Sequence, residues 1–420
     1  MKTLVQKFGG TSVQTSAVRR KAAQHVADAV LKGHRVVAVV SAMGRKGDPY
    51  ATDELLSMVE NREVVHRDVD ILLSCGEAIS AVVFAAELRE QGLQTTVLSG
   101  SQAGILTDDR HGNARILSVC TDRLVRELRD NHVVVVMGYQ GKTESGDVTT
   151  LGRGGSDTTA TAIGTALGAD RVDIFSDVDG IFTADPRVVT GATLLLHLSY
   201  TDACTMATEG AKVIHPRAVE VAMRTNIPVM VRHTGKDALG THIGTVQGQV
   251  EDHERFGGCI IGIAHETSRV QVTVRTSADE QQAVFAAVER AGVQPEFCLS
   301  SPTQLSFTIP AMDAKEVARS LDEIGQGYEL VKDCARVSVI GRRLDEIPGL
   351  MGRVLETLAS AGIRVLQSVD SPSVVRVLVQ AIDMERTVQA LHHRFVENRV
   401  DDLPTFVVAT LAGTAAAGCD

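Results

Sequence analysis

Short runs of β-branched and apolar residues alternate with longer stretches of helical periodicity through residues 1–232. The runs predict strands at Thr3-Leu4-Val5, Arg35–Val40, Val97-Leu98, Val133–Met137, Val172–Phe175 and Val229–Arg232. Between them, helical spacing runs from Ser16 to Lys32, from Thr52 with that threonine as cap, from Ala78 to Leu88 and from Ala160 to Leu167. Strands alternating with helices of about 10–15 residues predict an α/β fold with a mainly parallel sheet covered on both faces. The runs end in small, polar or glycine residues. Examples are Lys7-Phe8-Gly9-Gly10-Thr11-Ser12, Ser41-Ala42-Met43-Gly44, Ser99-Gly100, Gly138 and Ser176-Asp177, and Cys75-Gly76-Glu77 is read in the same way. In open α/β sheets the ligand lies at the carboxyl ends of the strands. The recurrence of these clusters there says more than any one of them.

The stretch Leu151-Gly152-Arg153-Gly154-Gly155-Ser156-Asp157-Thr158-Thr159-Ala160 stands at the centre of this pattern. Ser156 or Asp157 is expected to cap the helix that follows, leaving backbone N–H groups and a positive dipole end at the turn. That arrangement suits an anion. A plain turn with a surface arginine is an equal reading of Gly-Arg-Gly-Gly alone. Lys7 followed by Gly9-Gly10 admits a phosphate in the same way, although the chain has no Walker A spacing there. Asp177, Asp179, Asp185 and Arg187 fit a metal site, a nucleotide site or a solvated turn. Lys212 sits among small residues in Gly210–Arg217, and His215 before a proline reads as a structural hydrogen-bonder.

The last 170 or so residues repeat themselves. Arg269–Val274 alternates as a half-buried strand should, and Arg336–Val339 repeats it 67 positions later. Val284, Val288 and Ala291 recur as Val354, Leu358 and Ala361, each helix closing on Gly292 or Gly362. This predicts a duplicated ferredoxin-like βαββαβ unit for ligand sensing or dimerisation.

Composition narrows the partners. A net charge of −10, 3% aromatics and no tryptophan argue against nucleic acid. Seven scattered cysteines without C-x-x-C spacing indicate neither zinc nor a disulfide framework and fit a reducing cytoplasm. The N-terminus enters a strand without a signal-like apolar region, and no run is expected to reach the ~20 residues of a membrane span.

Together the motifs at Lys7–Ser12, Ser41–Gly44, Gly100–Gly104, Leu151–Ala160, Phe182–Arg187 and Lys212–Arg217 resemble the aspartate kinases with paired C-terminal ACT domains. The segment Val40–Asp53 looks like the monofunctional bacterial isoenzyme associated with diaminopimelate, with no homoserine dehydrogenase half expected. The resemblance implies an amino-acid-kinase three-layer sandwich over 1–232, a linker over 233–258, ACT units over 259–330 and 331–412, interleaved, and a tail over 413–420. It implies ATP and L-aspartate as substrates and 4-phospho-L-aspartate as product. Mg²⁺ would be carried by ATP rather than held in a protein metal site. Lys7, Asp157 and Lys212 would be catalytic. Ser41, Thr52, Glu77, Arg153, Gly154, Gly155 and Ser156 would bind aspartate, Arg153 by a carboxylate and Glu77 by the amino group. Lys7, Phe8, Gly9, Gly10, Ser176, Asp177, Phe182, Thr183, Ala184, Asp185, Pro186, Arg187, Lys212 and Val213 would surround the nucleotide. Phe182 stands where the family usually has tyrosine, and only the second ACT unit keeps a Pro-Gly turn, Pro348-Gly349. A homodimer or larger assembly, with diaminopimelate, lysine or threonine as effector, completes the expectation. Its rivals are a glutamate or acetylglutamate kinase and a non-catalytic amino-acid sensor.

Overall fold

The computed structural model describes residues 2–59, 62–245 and 260–398. They form two compact units. The first runs to Ile181 and resumes at Leu194; the second takes Phe182–Thr193 and the described residues from Ile260 onward.

The first unit is built on a large twisted sheet. Its parallel members are β1 (Thr3–Phe8), β2 (Arg35–Val40), β3 (Thr95–Leu98), β6 (Val133–Met137), β9 (Arg171–Ser176) and β11 (Val229–His233). With β10 (His197–Leu198) and β12 (Thr241–Ile243), which runs antiparallel to β11, the order is β10-β12-β11-β9-β1-β2-β6-β3. A smaller sheet orders β5 (Ile116–Val119), β4 (Ile105–Thr107), β7 (Gln140–Lys142) and β8 (Val148–Thr150). The unbroken apolar runs of the central strands are those of a sheet buried on both faces. Leu4, Phe8, Val36, Ala38, Val40 and Val135 pack under α2 (Ser16–Leu31) and α4 (His66–Glu90), through Ala22, Val26, Phe84 and Leu88. The opposite face takes α6 (Gly155–Leu167). A Cβ at its Gly164 would stand 2.6 Å from Val172 and 3.6 Å from Val5, so glycine permits the close approach. The remaining helices of this unit are α1 (Gly10–Val13), α3 (Thr52–Ser57), α5 (Asp122–Asp130), α7 (Tyr200–Thr208) and α8 (Pro216–Thr225).

Four expectations are corrected here. The helix after the central turn starts at Gly155, not Ser156 or Asp157: Gly154, in the left-handed region at φ 69°, is its N-cap. Thr52 is the first residue of α3 and Ala51 its cap. Cys75-Gly76-Glu77 lies inside α4 rather than at a strand end, because helical periodicity begins at His66. By length and composition α4 could cross a membrane, with mean hydropathy 1.8, yet its Leu73, Ala81, Phe84, Ala85 and Leu88 are core residues of this unit. Finally, 233–245 is not linker. β12 pairs with β11, and Thr234 and Thr241 are buried; three residues are too short a strand to show a period. Residues 246–258 and the 413–420 tail lie outside the described residues.

In the second unit, β13 (Ile260–Arg275) and β16 (Tyr328–Gly341) run through one six-stranded sheet with β14 (Glu296–Ser301), β15 (Gln304–Pro310), β17 (Gln367–Asp370) and β18 (Val374–Gln380). Among the described residues its α-helices are α9 (Gln281–Arg290), α10 (Ala314–Glu323), α11 (Leu350–Ser360) and α12 (Met384–His392). Two apolar cores divide it. Val270, Val272 and Val274 of β13 join Val284, Val288, Phe307 and Leu321. Ile263 of the same strand joins Val337, Val339, Val354, Leu358 and Leu391. Each core closes a βαββαβ module, and β13 and β16 serve both. The expected boundary between residues 330 and 331 therefore falls inside β16, and Ile260–Glu266 completes the second module rather than the first.

Candidate active site

The carboxyl ends of β1, β2, β6 and β9 meet in the first unit. Ser41 N donates to Phe8 O (3.1 Å), Gly138 N to Val40 O (2.9 Å) and Gly9 N to Phe175 O (3.4 Å). Backbones come this close because side chains are missing. A Cβ on Gly10 would lie 2.5 Å from Gly44 O and 2.7 Å from Ala42 O, and one on Gly138 2.8 Å from Ser156 Oγ. Lys7 Nζ lies 2.7 Å from Asp157 Oδ1, with both side chains at most 13% exposed. Asp157 is in the first turn of α6, which no side chain caps, so N–H groups and a positive dipole end open beside the lysine.

Glu77 approaches from α4. A Cβ on its neighbour Gly76 would be 2.8 Å from Ala42 Cβ and 3.1 Å from Leu55 Cδ1. The glycine therefore lets α4 come down onto the end of β2. Glu77 is 2% exposed; Oε1 accepts from Ala42 N at 3.0 Å, while Oε2 has no partner. Burial pushes its carboxyl up to about 8, against the smaller opposing effect of the Ala42 hydrogen bond.

The structure thus brings together Lys7, Asp157, Ser41, Ser156, Gly9, Gly10, Gly154 and Gly155. Thr52 is half-buried at the start of α3, and Leu55 of that helix reaches Gly76. Arg153 and Lys212 are exposed on loops and make no ion pair among the described residues. Asp177 pairs with Arg45 and accepts from Ser176 Oγ at 3.2 Å. Phe182, Thr183, Ala184, Asp185, Pro186 and Arg187 belong to the second unit. There Thr183 and Ala184 are buried, Thr183 Oγ1 lies 2.9 Å from His392 Nε2, and Asp185 pairs with Arg187 at 2.7 Å. Val213 is half-buried, and His215 Nδ1 accepts from Arg217 N at 3.3 Å as the N-cap of α8.

Two supporting residues escape the pattern reading. Asp70, fully buried, accepts from Gly112 N (3.0 Å), His111 Nδ1 (2.8 Å) and Thr150 Oγ1, tying α4 to the smaller sheet's loops. Tyr139 follows Gly138 in the left-handed region at φ 69°, with Thr159 Oγ1 accepting from its N–H at 3.2 Å. Asp70 lies in a charge-rich helix start that reads as solvated, and strain at Tyr139 has no composition signal.

Comparison with known proteins identifies the family. The amino acid kinase family model matches residues 2–233 and an ACT domain model residues 329–393. Aspartokinase 1 of Bacillus subtilis is 42% identical over 94% of this chain and 99% of its own length. The aspartokinase of Geobacillus stearothermophilus is 37% identical over 94% and 97%. Escherichia coli aspartokinase III, solved with aspartate and ADP, superposes with a TM-score of 0.78 at 25% identity, covering 93% of this chain and 99% of that one. Its lysine- and aspartate-bound form gives 0.71 at 25% identity, covering 94% and 100%. The chain belongs to the aspartokinases, enzymes of the amino acid kinase family with C-terminal ACT regulation.

Proposed function

We propose that the cluster around Lys7 and Asp157 is where the γ-phosphoryl group of ATP passes to the side-chain carboxylate of L-aspartate, giving 4-phospho-L-aspartate. The observation carrying the substrate reading is Glu77, a carboxylate with one buried oxygen left without a donor. A free ammonium group supplies that donor together with a compensating positive charge, whereas an N-acetylated substrate offers a single neutral amide N–H.

The acceptor carboxylate has a reference pKa near ~4, so it is ionised at neutral pH and needs no base. The barrier is the approach of one anion to another. Lys7, oriented by Asp157, meets the transferring phosphoryl group. Lys212 adds a second cation, and the start of α6 at Gly154, Gly155 and Ser156, which no side chain caps, presents its positive dipole end, with the Gly155 N–H itself held by Gly152 O at 3.0 Å. Arg153 clamps a substrate carboxylate beside Ser41 and Thr52, while Gly9 and Gly10 let the phosphates approach β1 and Phe8, Ser176, Asp177 and Val213 flank the nucleotide. Among the described residues no three His, Cys, Asp or Glu side chains converge as a metal site. Mg²⁺ carried on the ATP phosphates would supply charge neutralisation there. Rate comes from positioning and electrostatics.

The ACT modules bind an amino-acid effector: diaminopimelate, lysine or threonine. The chain acts as a homodimer or larger assembly in the cytoplasm. The experiment is phosphoryl transfer with Mg-ATP and L-aspartate, trapping the acyl phosphate with hydroxylamine, with parallel tubes holding each effector. Aspartyl hydroxamate is expected, and the inhibited tube identifies the effector. Product from glutamate or acetylglutamate alone, or from none of the three, overturns the assignment.

A further inference from the structure

On the sheet face turned away from Lys7 lies a cavity of about 360 Å³, walled by α2, β1, β9 and the end of β11. The two faces are separated by strand alternation: Leu4 and Phe8 pack toward α2 while Val5 approaches α6. Gln6 therefore lines the cavity and its neighbour Lys7 faces the catalytic side.

Gln6 is 3% exposed. Its Nε2 donates to His25 O at 3.4 Å, and its Oε1 has no partner. The carbonyl partner fixes the amide's orientation, because two acceptors cannot face each other. The polar neighbours are already committed. Asp173 binds Arg171 through both oxygens at 2.7 and 3.2 Å, and His25 Nε2 lies 2.9 Å from Thr234 O while its ring stacks on Phe175. At the rim, cations exceed carboxylates. Arg232 lies 5.9 Å over the Phe175 ring and, among the described residues, its ion-pair partner is the fully exposed Asp237 at 3.9 Å, while Lys21 and Lys32 make no ion pair among those residues.

We propose that this cavity binds a small organic anion that also carries a hydrogen-bond donor, an amino or hydroxy acid. Its donor meets Gln6 Oε1 and its carboxylate meets Arg232. A buried acceptor left empty is unfavourable, and a pre-formed recess of this volume with a mostly polar lining suits a small polar ligand. Because Gln6 and Lys7 face opposite sides of one strand, the occupant does not compete with aspartate or ATP.

The test is a titration of the full chain with D-glycerate in the presence of saturating L-aspartate, followed through the imidazole signal of His25 in histidine-labelled protein. Acetate, an anion without the donor, forms the second arm. The expected result is a saturable His25 shift with glycerate, weakened about tenfold or more with acetate and in Gln6→Leu. Arg232→Gln, a half-exposed change that leaves the floor of the cavity intact, is expected to weaken glycerate similarly. Gln6→Leu keeps its kinase activity. Equal responses to glycerate and acetate, full affinity in both variants, or no His25 response overturns the proposal.

Discussion

Glu77 makes aspartate binding a proton-linked event. Burial holds its carboxyl neutral up to about pH 8 in the free enzyme, whereas the substrate ammonium needs the carboxylate. At pH 7 about a tenth of the free enzyme is ionised at this group, and at pH 9 about nine tenths. Apparent affinity scales with the competent fraction, so the Kd for L-aspartate is expected to rise about tenfold from pH 9 to pH 7, about 1.4 kcal/mol. Calorimetry in two buffers of different ionisation enthalpy should detect about one proton released per aspartate bound near neutral pH. Stability follows with the opposite slope. Between the unperturbed value of 4.5 and about 8 the folded free enzyme holds a proton that the unfolded chain has lost. Stability therefore falls as pH rises through that window, by at most about 1.4 kcal/mol per unit. Glu77→Gln, neutral throughout, should bind aspartate weakly at every pH and lose both slopes. An aspartate Kd that is flat across this range, or a slope unchanged in Glu77→Gln, would refute the reasoning.

Lys7→Ala should lower kcat far more than it raises the aspartate KM, since the lysine acts on the transferring group; steady-state kinetics showing a change confined to KM would contradict that role. Arg153→Ala should mainly raise the aspartate KM, and unchanged KM and kcat would remove it from the clamp. Gly154→Ala forces a side chain onto φ 69° and to 2.1 Å from His215 Cγ. Thermal unfolding should register a loss of about 1–2 kcal/mol from the backbone alone, plus the displaced ring, and wild-type stability would show that the turn relaxes. Asp70→Asn removes an acceptor from a fully buried site that ties Gly112, His111 and Thr150 together. A loss of about 1–3 kcal/mol is expected in denaturant melts, with hydroxamate formation retained in the folded fraction.

The parallel sheet could be read from sequence because its strands are buried on both faces. Val36–Val40 and Val133–Val136 are unbroken apolar runs with one interpretation. Gly10 and Gly138 marked strand ends, but Gly10 read as room for a phosphate, and the structure shows that both glycines also let chain segments pass within van der Waals reach of one another. What pattern could not supply was the approach of Glu77. It comes from the middle of a 25-residue helix, not from a strand end, and the glycine beside it serves helix-to-strand packing rather than a turn. The helix start at Gly154 was missed for a physical reason as well. Ser156 and Asp157 are the better capping side chains, but Asp157 is held on Lys7 and Ser156 is packed against Gly138. Neither is available to satisfy the backbone.

The C-terminal repeat was visible as two helices of the same spacing about 70 positions apart, yet the repeat unit and the folded module are different objects. β13 changes partners and core within one strand. Its last residues pair with β15 and the first half of β16, and its first residues pair with the second half of β16. The ladder is irregular between Glu266 and Arg269, and Ser268 and Asp333 take positive φ there. At that crossing, Arg269 and Arg336, both nearly buried, share Glu266 and Glu296 at 2.5 to 3.4 Å. Alternation alone reads such a strand as one continuous element, because a bulge changes register without ending the run. The consequence is topological. The second module lacks its sixth strand until Ile260–Glu266, made before the first module begins, is returned to it. The second module is therefore not closed by its own contiguous stretch of chain, whereas the first is, and a ligand that shifts β13 or β16 in one core must move a strand that belongs to the other.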